Sequence, residues 1–358
     1  MAIPIAPTLG EPAADAALRK RNPALRVVAI GGGTGLSTLL RGLRRYVVAS
    51  HAPMGDSPHA PCWISDLAAV VTVTDDGGSS GRLRRGFNML PPGDLRNCMV
   101  ALSEDEHLLS RLFRHRFKAG EGLEGHSFGN LFVAALSEIT GDFAQAIKLS
   151  SQVLATRGRI YPVTNSNVSL AARMDDGSIV QGETNITASR RRIVELMLEP
   201  ADASPLPETL DSIERADLIS VGPGSLFTSL ITNLLVRDVS EALAAATAVR
   251  VFVCNLMTQS NESLNLTASQ HIERIYEHTR APIFDYALVN RAPVSESLRA
   301  RYAGEGAAPI DADVEAIEAL GVRCIAGDFA AEGDVLRHAP DRVALSLLRL
   351  GLSGRPRG

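Results

Sequence analysis

The chain has 358 residues, 45% hydrophobic and 21% charged, with a formal net charge of −4. That length exceeds what one small core serves and admits one large α/β domain or two. No apolar run is long enough to cross a bilayer, and the negative total gives no general attraction for nucleic acid. Cys62, Cys98, Cys254 and Cys324 form no C-x-x-C, which implies neither a zinc site nor a disulfide framework and fits a reducing cytoplasm.

Residues 1–23 are rich in Ala and Pro and lack a continuous apolar core of signal-peptide length, so they read as a disordered N-terminal extension ahead of a single domain over 24–358. The organising stretch follows. Val27-Val28-Ala29-Ile30 is a short apolar strand. It breaks into Gly31, Gly32, Gly33, Thr34 and Gly35 and resumes with helical spacing from Leu36. Glycines there let an anionic group approach the backbone, and the first free N–H groups of the new helix point at it, so the expected guest is a phosphate. No Lys-Ser/Thr follows, which excludes the P-loop, and G-x-G-x-x-G is matched only up to its last position.

Ser50 to Ser65 reads as an insertion in a surface loop, with Trp63 in its packing. Leu67 to Val73 is a β-branched run suited to a parallel strand buried on both faces. It delivers Asp75 and Asp76 to the place where a dinucleotide fold carries its ribose carboxylate, though roughly 40 residues after the glycines instead of about 20. With Ser79, Ser80 and Arg82 close behind, the segment has the chemistry of a metal-phosphate site: Asp75 and Asp76 for Mg²⁺, loop N–H groups and hydroxyls for phosphate oxygens, arginine for residual charge. Leu90-Pro91-Pro92-Gly93-Asp94 is a rigid turn with Asp94 as the expected N-cap and Asn97 in the first turn after it. The arginines of Leu108 to Phe117 read as the wet face of an amphipathic helix. His126, Ser127 and Asn130 stand at the N-terminus of a further apolar helix, Leu131 to Thr140, and are candidates for ligand contact.

From 159 to 199 the pattern changes to a hairpin around Asp175-Asp176-Gly177, so antiparallel strands extend or cover the parallel sheet. Asn165 and Asn167, just before it, read as turn residues. A second strand-loop-helix unit runs from Ala216 through Gly222, Pro223, Gly224 and Ser225, with Ser225 as cap. Val249 to Asn255 is a third strand, leading into Met257. Helices near 267–277 and 341–350 complete the packing. The fold class is α/β: a Rossmann-like, mainly parallel sheet flanked by helices, with an added antiparallel hairpin region and its ligand loops gathered beyond the carboxyl ends of the strands.

Six segments in fixed order, GGGTGLSTLLRGL, VTVTDDGGSSGRLR, PPGDLRN, GHSFGN, ADLISVGPGSLFTSL and CNLMTQ, resemble the YvcK-type gluconeogenesis factors, CofD-like proteins related to the 2-phospho-L-lactate transferases. The resemblance covers 26 to about 350. It implies a cytoplasmic regulator of cell shape on gluconeogenic carbon sources that binds UDP-sugars such as UDP-N-acetylglucosamine and has no established catalysed reaction; with neither nucleic acid nor membrane expected from charge and composition, the partner is the nucleotide sugar, and a homo-oligomer stays open. The alternative that the resemblance implies is an Mg²⁺-dependent transferase of the phospholactate type acting on a nucleotide diphosphate donor. An NAD-dependent dehydrogenase is suggested by the first glycine loop alone. Where this family often has Tyr, Leu266 stands, so base contact there would lack a ring.

Overall fold

The computed structural model describes residues 24–48, 63–104, 108–189, 191–259 and 262–354. The N-terminal extension expected over 1–23 and most of the insertion expected near 50–65 lie outside the described residues. Trp63, at the end of that insertion, is buried and stacks on Tyr46 with ring centroids 5.5 Å apart.

Ten strands build the two larger sheets: β1 (Leu25–Gly31), β2 (Ile64–Val71), β3 (Arg159–Pro162), β4 (Ser169–Met174), β5 (Ile179–Gln181), β6 (Ile193–Glu199), β7 (Leu218–Val221), β8 (Val249–Val253), β9 (Tyr286–Asn290) and β10 (Arg323–Gly327). Seven form one parallel sheet in the order β10-β9-β8-β7-β1-β2-β3. Their near-continuous Val, Ile, Leu and Ala content follows from burial on both faces. The chain winds outward from β1 through β2 to β3, then returns to lay β7 against the other side of β1 and winds the opposite way. This reversal is a topological switch point, and a crevice opens there beyond the carboxyl ends of β1 and β7.

The hairpin region does not extend the parallel sheet. It makes a separate antiparallel sheet of order β5-β4-β6.

Nine helices matter below: α1 (Gly33–Leu43), α2 (Gly78–Phe87), α3 (Gly93–Leu102), α4 (Phe128–Thr140), α5 (Phe143–Val153), α6 (Glu183–Ala188), α7 (Pro207–Arg215), α8 (Ala268–Thr279) and α9 (Pro340–Ser353). In α1, Leu36, Leu39, Leu40 and Leu43 recur at helical spacing and are all buried. This helix packs between α3 and α9. Its approach to α9 is backbone to backbone, since a Cβ on Gly42 would run into the carbonyl oxygen of Pro340. Gly42→Ala is therefore expected to force the two helices apart and to lower unfolding free energy by about 1–3 kcal/mol, the usual cost of overpacking, as read from urea denaturation.

Candidate functional site

The two glycine turns meet at the switch point. A Cβ on Gly35 would lie 2.5 Å from the carbonyl oxygen of Pro223, so only glycine lets the first turn of α1 rest on the loop after β7. That second loop is clamped from β8. The Asn255 side chain accepts from the Gly224 N–H at 3.2 Å and donates to the Gly224 carbonyl at 2.7 Å, and Gln259 Nε2 donates to Ser225 Oγ at 2.9 Å. A cavity of about 460 Å³ opens between the turns. Gly32, Gly33, Thr34, Gly35, Pro223, Gly224 and Ser225 line one end, with Asn255 and Met257 beside them. Gly31 and Gly222 lie behind, fully within the protein.

The far end is built by residues that sequence reasoning missed. Leu256 and Leu336 belong to a small apolar cluster with Met257 and Tyr302 packed on it. Tyr302, Glu305, Arg337 and His338 complete the wall. The Tyr302 hydroxyl accepts from the Leu336 N–H at 3.0 Å, which fixes its ring. Burial pushes His338 down to about 4, so it is neutral at pH 7, and its Nε2 donates to the Cys254 carbonyl at 3.0 Å. Leu266, the position expected to meet a base, lies outside this lining and is half-buried against the main core.

Part of the anion-binding capacity of both helix ends is occupied by the chain's own carboxylates. The Gly33 N–H donates to Asp94 Oδ2 at 2.7 Å. Asp94 thus does not cap its own helix, because α3 already begins at Gly93 behind Pro92; its side chain reaches across to α1 instead. Ser225 occupies the N-cap position after β7 but makes no capping bond. Glu262 does that work. Its carboxylate accepts from Phe227 N and Thr228 N at 3.1 and 3.4 Å and from Thr228 Oγ1 at 2.7 Å, at the start of a π-helical turn over Leu226–Ile231. Glu262 carried one signal in the sequence, being the single charged residue between Thr258 and Ala268. The N–H groups of Thr34, Gly35, Ser225 and Leu226 have no partner among the described residues.

Behind the first turn the carboxylates crowd. Asp75 Oδ1 accepts from the Gly77 N–H at 2.9 Å, and Thr74 Oγ1 donates to Glu183 Oε2 at 3.0 Å. Burial, then repulsion from Asp75 and Asp94, holds Glu183 well above the ordinary glutamate range. Burial first, with Asp75 adding to it, lifts Asp94 from 3.8 to about 6. Asp75 and Asp76, the residues expected to hold Mg²⁺, hydrogen-bond to different elements. Asp76 turns to α6, where its Oδ1 accepts from Thr184 N and Oγ1, while Asp75 stays in its own loop. Among the described residues no three His, Cys, Asp or Glu side chains converge at metal-ligand spacing. Mg²⁺ usually needs only one or two carboxylates besides phosphate oxygens, so Asp75, in the charge field of Asp94, retains the chemistry for it.

The remaining predicted residues form a network that joins helix ends and does not line the cavity. Asn130 Nδ2 donates to Ser79 Oγ at 3.2 Å, and Ser79 Oγ lies at hydrogen-bond distance, 2.9 Å, from His126 Nδ1. Burial, and then Arg82 and Arg116, push His126 below its ordinary value and keep it neutral. Ser127 caps α4 by accepting from the Asn130 N–H at 3.2 Å. Asn97 accepts from Arg96 at 2.7 Å, Ser80 packs on Gly93, and Arg82 turns away from the crevice to the Glu124 carbonyl at 2.7 Å. Asn167 accepts from Arg84 at 2.8 Å and, with Asp76, borders a separate groove of about 590 Å³ between α2 and the antiparallel sheet.

A switch-point crevice bounded by two interlocked glycine turns places the molecule among the doubly wound α/β proteins. More narrowly, the chain belongs to the CofD family, whose model, described as 2-phospho-L-lactate transferase CofD, matches residues 27–330. It is 45% identical to the gluconeogenesis factor of Halalkalibacterium halodurans over 95% of this chain and 98% of that protein. It is 43% identical to the gluconeogenesis factor of Bacillus subtilis over 91% of this chain and 98% of that protein. A crystal structure of a Bacillus halodurans protein of the UPF0052 family superposes with a TM-score of 0.84 at 45% identity, covering 91% of this chain and all of the other.

The raised Asp94 carboxyl has a consequence for stability. Its proton is held more tightly in the folded state, so its contribution is fully present below about pH 4 and is lost as pH rises through about 6. Asp94→Asn keeps an acceptor for Gly33 and removes the titration. The variant is expected to gain stability relative to the parent as pH goes from 4 to 7, measured as urea midpoints at both ends of that window.

Proposed function

We propose that the protein is a nucleotide-sugar-binding regulator that takes a UDP-sugar such as UDP-N-acetylglucosamine in the switch-point crevice and acts in the cytoplasm on cell shape during gluconeogenic growth. The observation that carries this reading is that Thr34 and Gly35 on one side and Ser225 on the other, whose N–H groups have no partner among the described residues, line one cavity of about 460 Å³. Two facing sets of backbone donors suit a diphosphate, and the volume is within the range of small-ligand sites. Tyr302 and the Leu256–Leu336 cluster at the other end offer an aromatic and apolar wall for a base or sugar, and Arg337 a cation. The gluconeogenesis factors among its relatives support the physiological part.

A second reading, transfer of a phospholactate-type group from a nucleotide diphosphate, is favoured by the carboxylates of Asp75, Asp94 and Glu183 behind the first turn and by the description of the family model. Asp75 would hold Mg²⁺, which when bound would neutralise phosphate charge. The regulator reading expects no consumption of UDP-N-acetylglucosamine or guanylyl-phospholactate with Mg²⁺, followed by phosphorus NMR. Steady turnover that disappears in Asp75→Asn would decide for the transferase.

Binding is tested at Thr34, which is exposed in the first turn of α1. Thr34→Glu places a negative charge where the helix dipole favours it by about 0.3–1 kcal/mol but where a diphosphate must sit. Calorimetry is expected to show UDP-N-acetylglucosamine weakened by about tenfold or more, in a protein that melts no lower than its parent. Tyr302→Ala is expected to lose about 0.5–1.5 kcal/mol, roughly threefold to tenfold, whereas Leu266→Tyr is expected to leave affinity unchanged. Unaltered binding in both Thr34→Glu and Tyr302→Ala would place the ligand elsewhere.

A further inference from the structure

Four arginines gather at the start of α4 without an acidic partner. Arg96, on the first turn of α3, lies across Gly129, where a Cβ would meet its Cγ at 2.9 Å, its Cδ at 2.8 Å and the Phe113 carbonyl oxygen at 2.8 Å. Arg82 and Arg116 donate to the successive carbonyls of Glu124 and Gly125. Arg114, at the end of the helix Leu108–Arg114, is close enough for Arg96 to feel its charge. Among the described residues none of the four makes an ion pair. The neighbouring carboxylates are committed elsewhere, Asp94 to the Gly33 N–H and Asp75 to the Gly77 N–H.

The charge on Arg96 is therefore poorly compensated. Burial and then repulsion from Arg116 disfavour it, both ahead of the attraction of Asp94. Its Nη2 donates to Asn97 Oδ1 at 2.7 Å, but its Nε is buried with no partner. A guanidinium N–H left in that state is costly unless an acceptor is supplied. Three helix ends strengthen the same field. Ser80 Oγ lies against Gly93 and Asn130 Nδ2 bonds to Ser79 Oγ at 3.2 Å, which ties the first turns of α2, α3 and α4 together and brings three positive helix ends beside the arginines. His126, repelled by Arg82 and Arg116, is neutral and adds no compensating charge.

What this locus lacks is an anion, and its layout narrows the kind. Arg96 is half-buried whereas Arg82, Arg114 and Arg116 are exposed, so the guest must be compact enough to reach an inner guanidinium through an outer ring of them. It must also accept hydrogen bonds from several directions at once. Phosphate does both: its tetrahedral oxygens accept from the planar fork of one arginine and still face the others, and its dianion suits four arginines set against two aspartates. A single carboxylate offers one charge in one plane.

We propose that Arg96, with Arg82, Arg114 and Arg116 around it, forms a second anion site that takes a phosphate dianion, either free or as the end of a small monoester. None of these arginines lines the crevice, and the site stands independently of what the crevice binds.

The probes are inorganic phosphate and glucose 6-phosphate, titrated by calorimetry at neutral pH into the full chain carrying Thr34→Glu, whose added carboxylate closes the glycine turns to anions. Saturable binding is expected there, and adding Arg96→Gln is expected to weaken it by about tenfold or more, the loss of one charged hydrogen bond. In the parent, both probes are expected to shift the Arg96 Nε–H resonance saturably. If the Arg96→Gln chain does not fold, Arg116→Gln on the exposed ring replaces it. Tighter binding of glucose 6-phosphate assigns the site to a monoester, and equal or tighter binding of the free ion assigns it to phosphate itself. No saturable binding in Thr34→Glu, binding within about twofold after the arginine is replaced, or an unmoved Arg96 resonance would each overturn the proposal. So would hexaglutamate binding more tightly than either probe, which would make the arginines a surface for an acidic peptide.

Discussion

Everything at the crevice depends on one contact, the seating of Gly35 against the Pro223 carbonyl. It can form only because β7 returns to lie beside β1, which sets the ends of two strands distant in sequence next to each other. Parallel pairing aligns both carboxyl ends on one rim, and the absence of a Cβ at 35 lets the backbones touch there. With a side chain at 35 the two turns would separate and their N–H groups would no longer face one cavity. The clamp of Asn255 on Gly224 then carries the same constraint to β8, so three neighbouring strands fix the shape of the site.

The electrostatics of the rim are less simple than a positive helix end awaiting an anion. Asp94 and Glu262 each supply a carboxylate to a helix N-terminus, and both are held above the ordinary acid range chiefly by burial. These interactions satisfy N–H groups that would otherwise be buried without partners, and they hold the loops in place. The price is a local excess of negative charge behind the cavity, balanced in part by Arg96. A phosphate-bearing ligand would therefore meet donors that are pre-aimed but not strongly charged, a balance suited to reversible binding.

Much of the site's outline was legible in the sequence, because glycine turns after β-branched runs have a strong local cause. Gly32 through Gly35 and Pro223 through Ser225 do line the cavity, and Asn255 and Met257 stand with them. The errors share one origin. Asp94 looks like the cap of the helix it begins, yet its partner is Gly33, and Ser225 looks like a cap that Glu262 in fact provides. Asp75 and Asp76 are neighbours in sequence, but their side chains are drawn to different elements, one within its own loop and one on α6. Adjacency along the chain says which groups are available and not where a side chain finds its partner.

The sequence by itself determined the α/β class, the parallel character of the buried strands, the two glycine turns and the antiparallel hairpin, since each follows from periodicity, burial of apolar runs or backbone freedom within a short window. Only the tertiary structure decided that the hairpin forms its own sheet, that Tyr302 and Arg337 share a cavity with Gly32 to Gly35 from the other end of the chain, that Leu266 does not, and that β3 ends the sheet. The physical reason is that these features are set by strand order and by contacts between distant elements, whose free energy comes from burying shared surface and satisfying each other's polar groups. A linear pattern carries no record of which surfaces those will be.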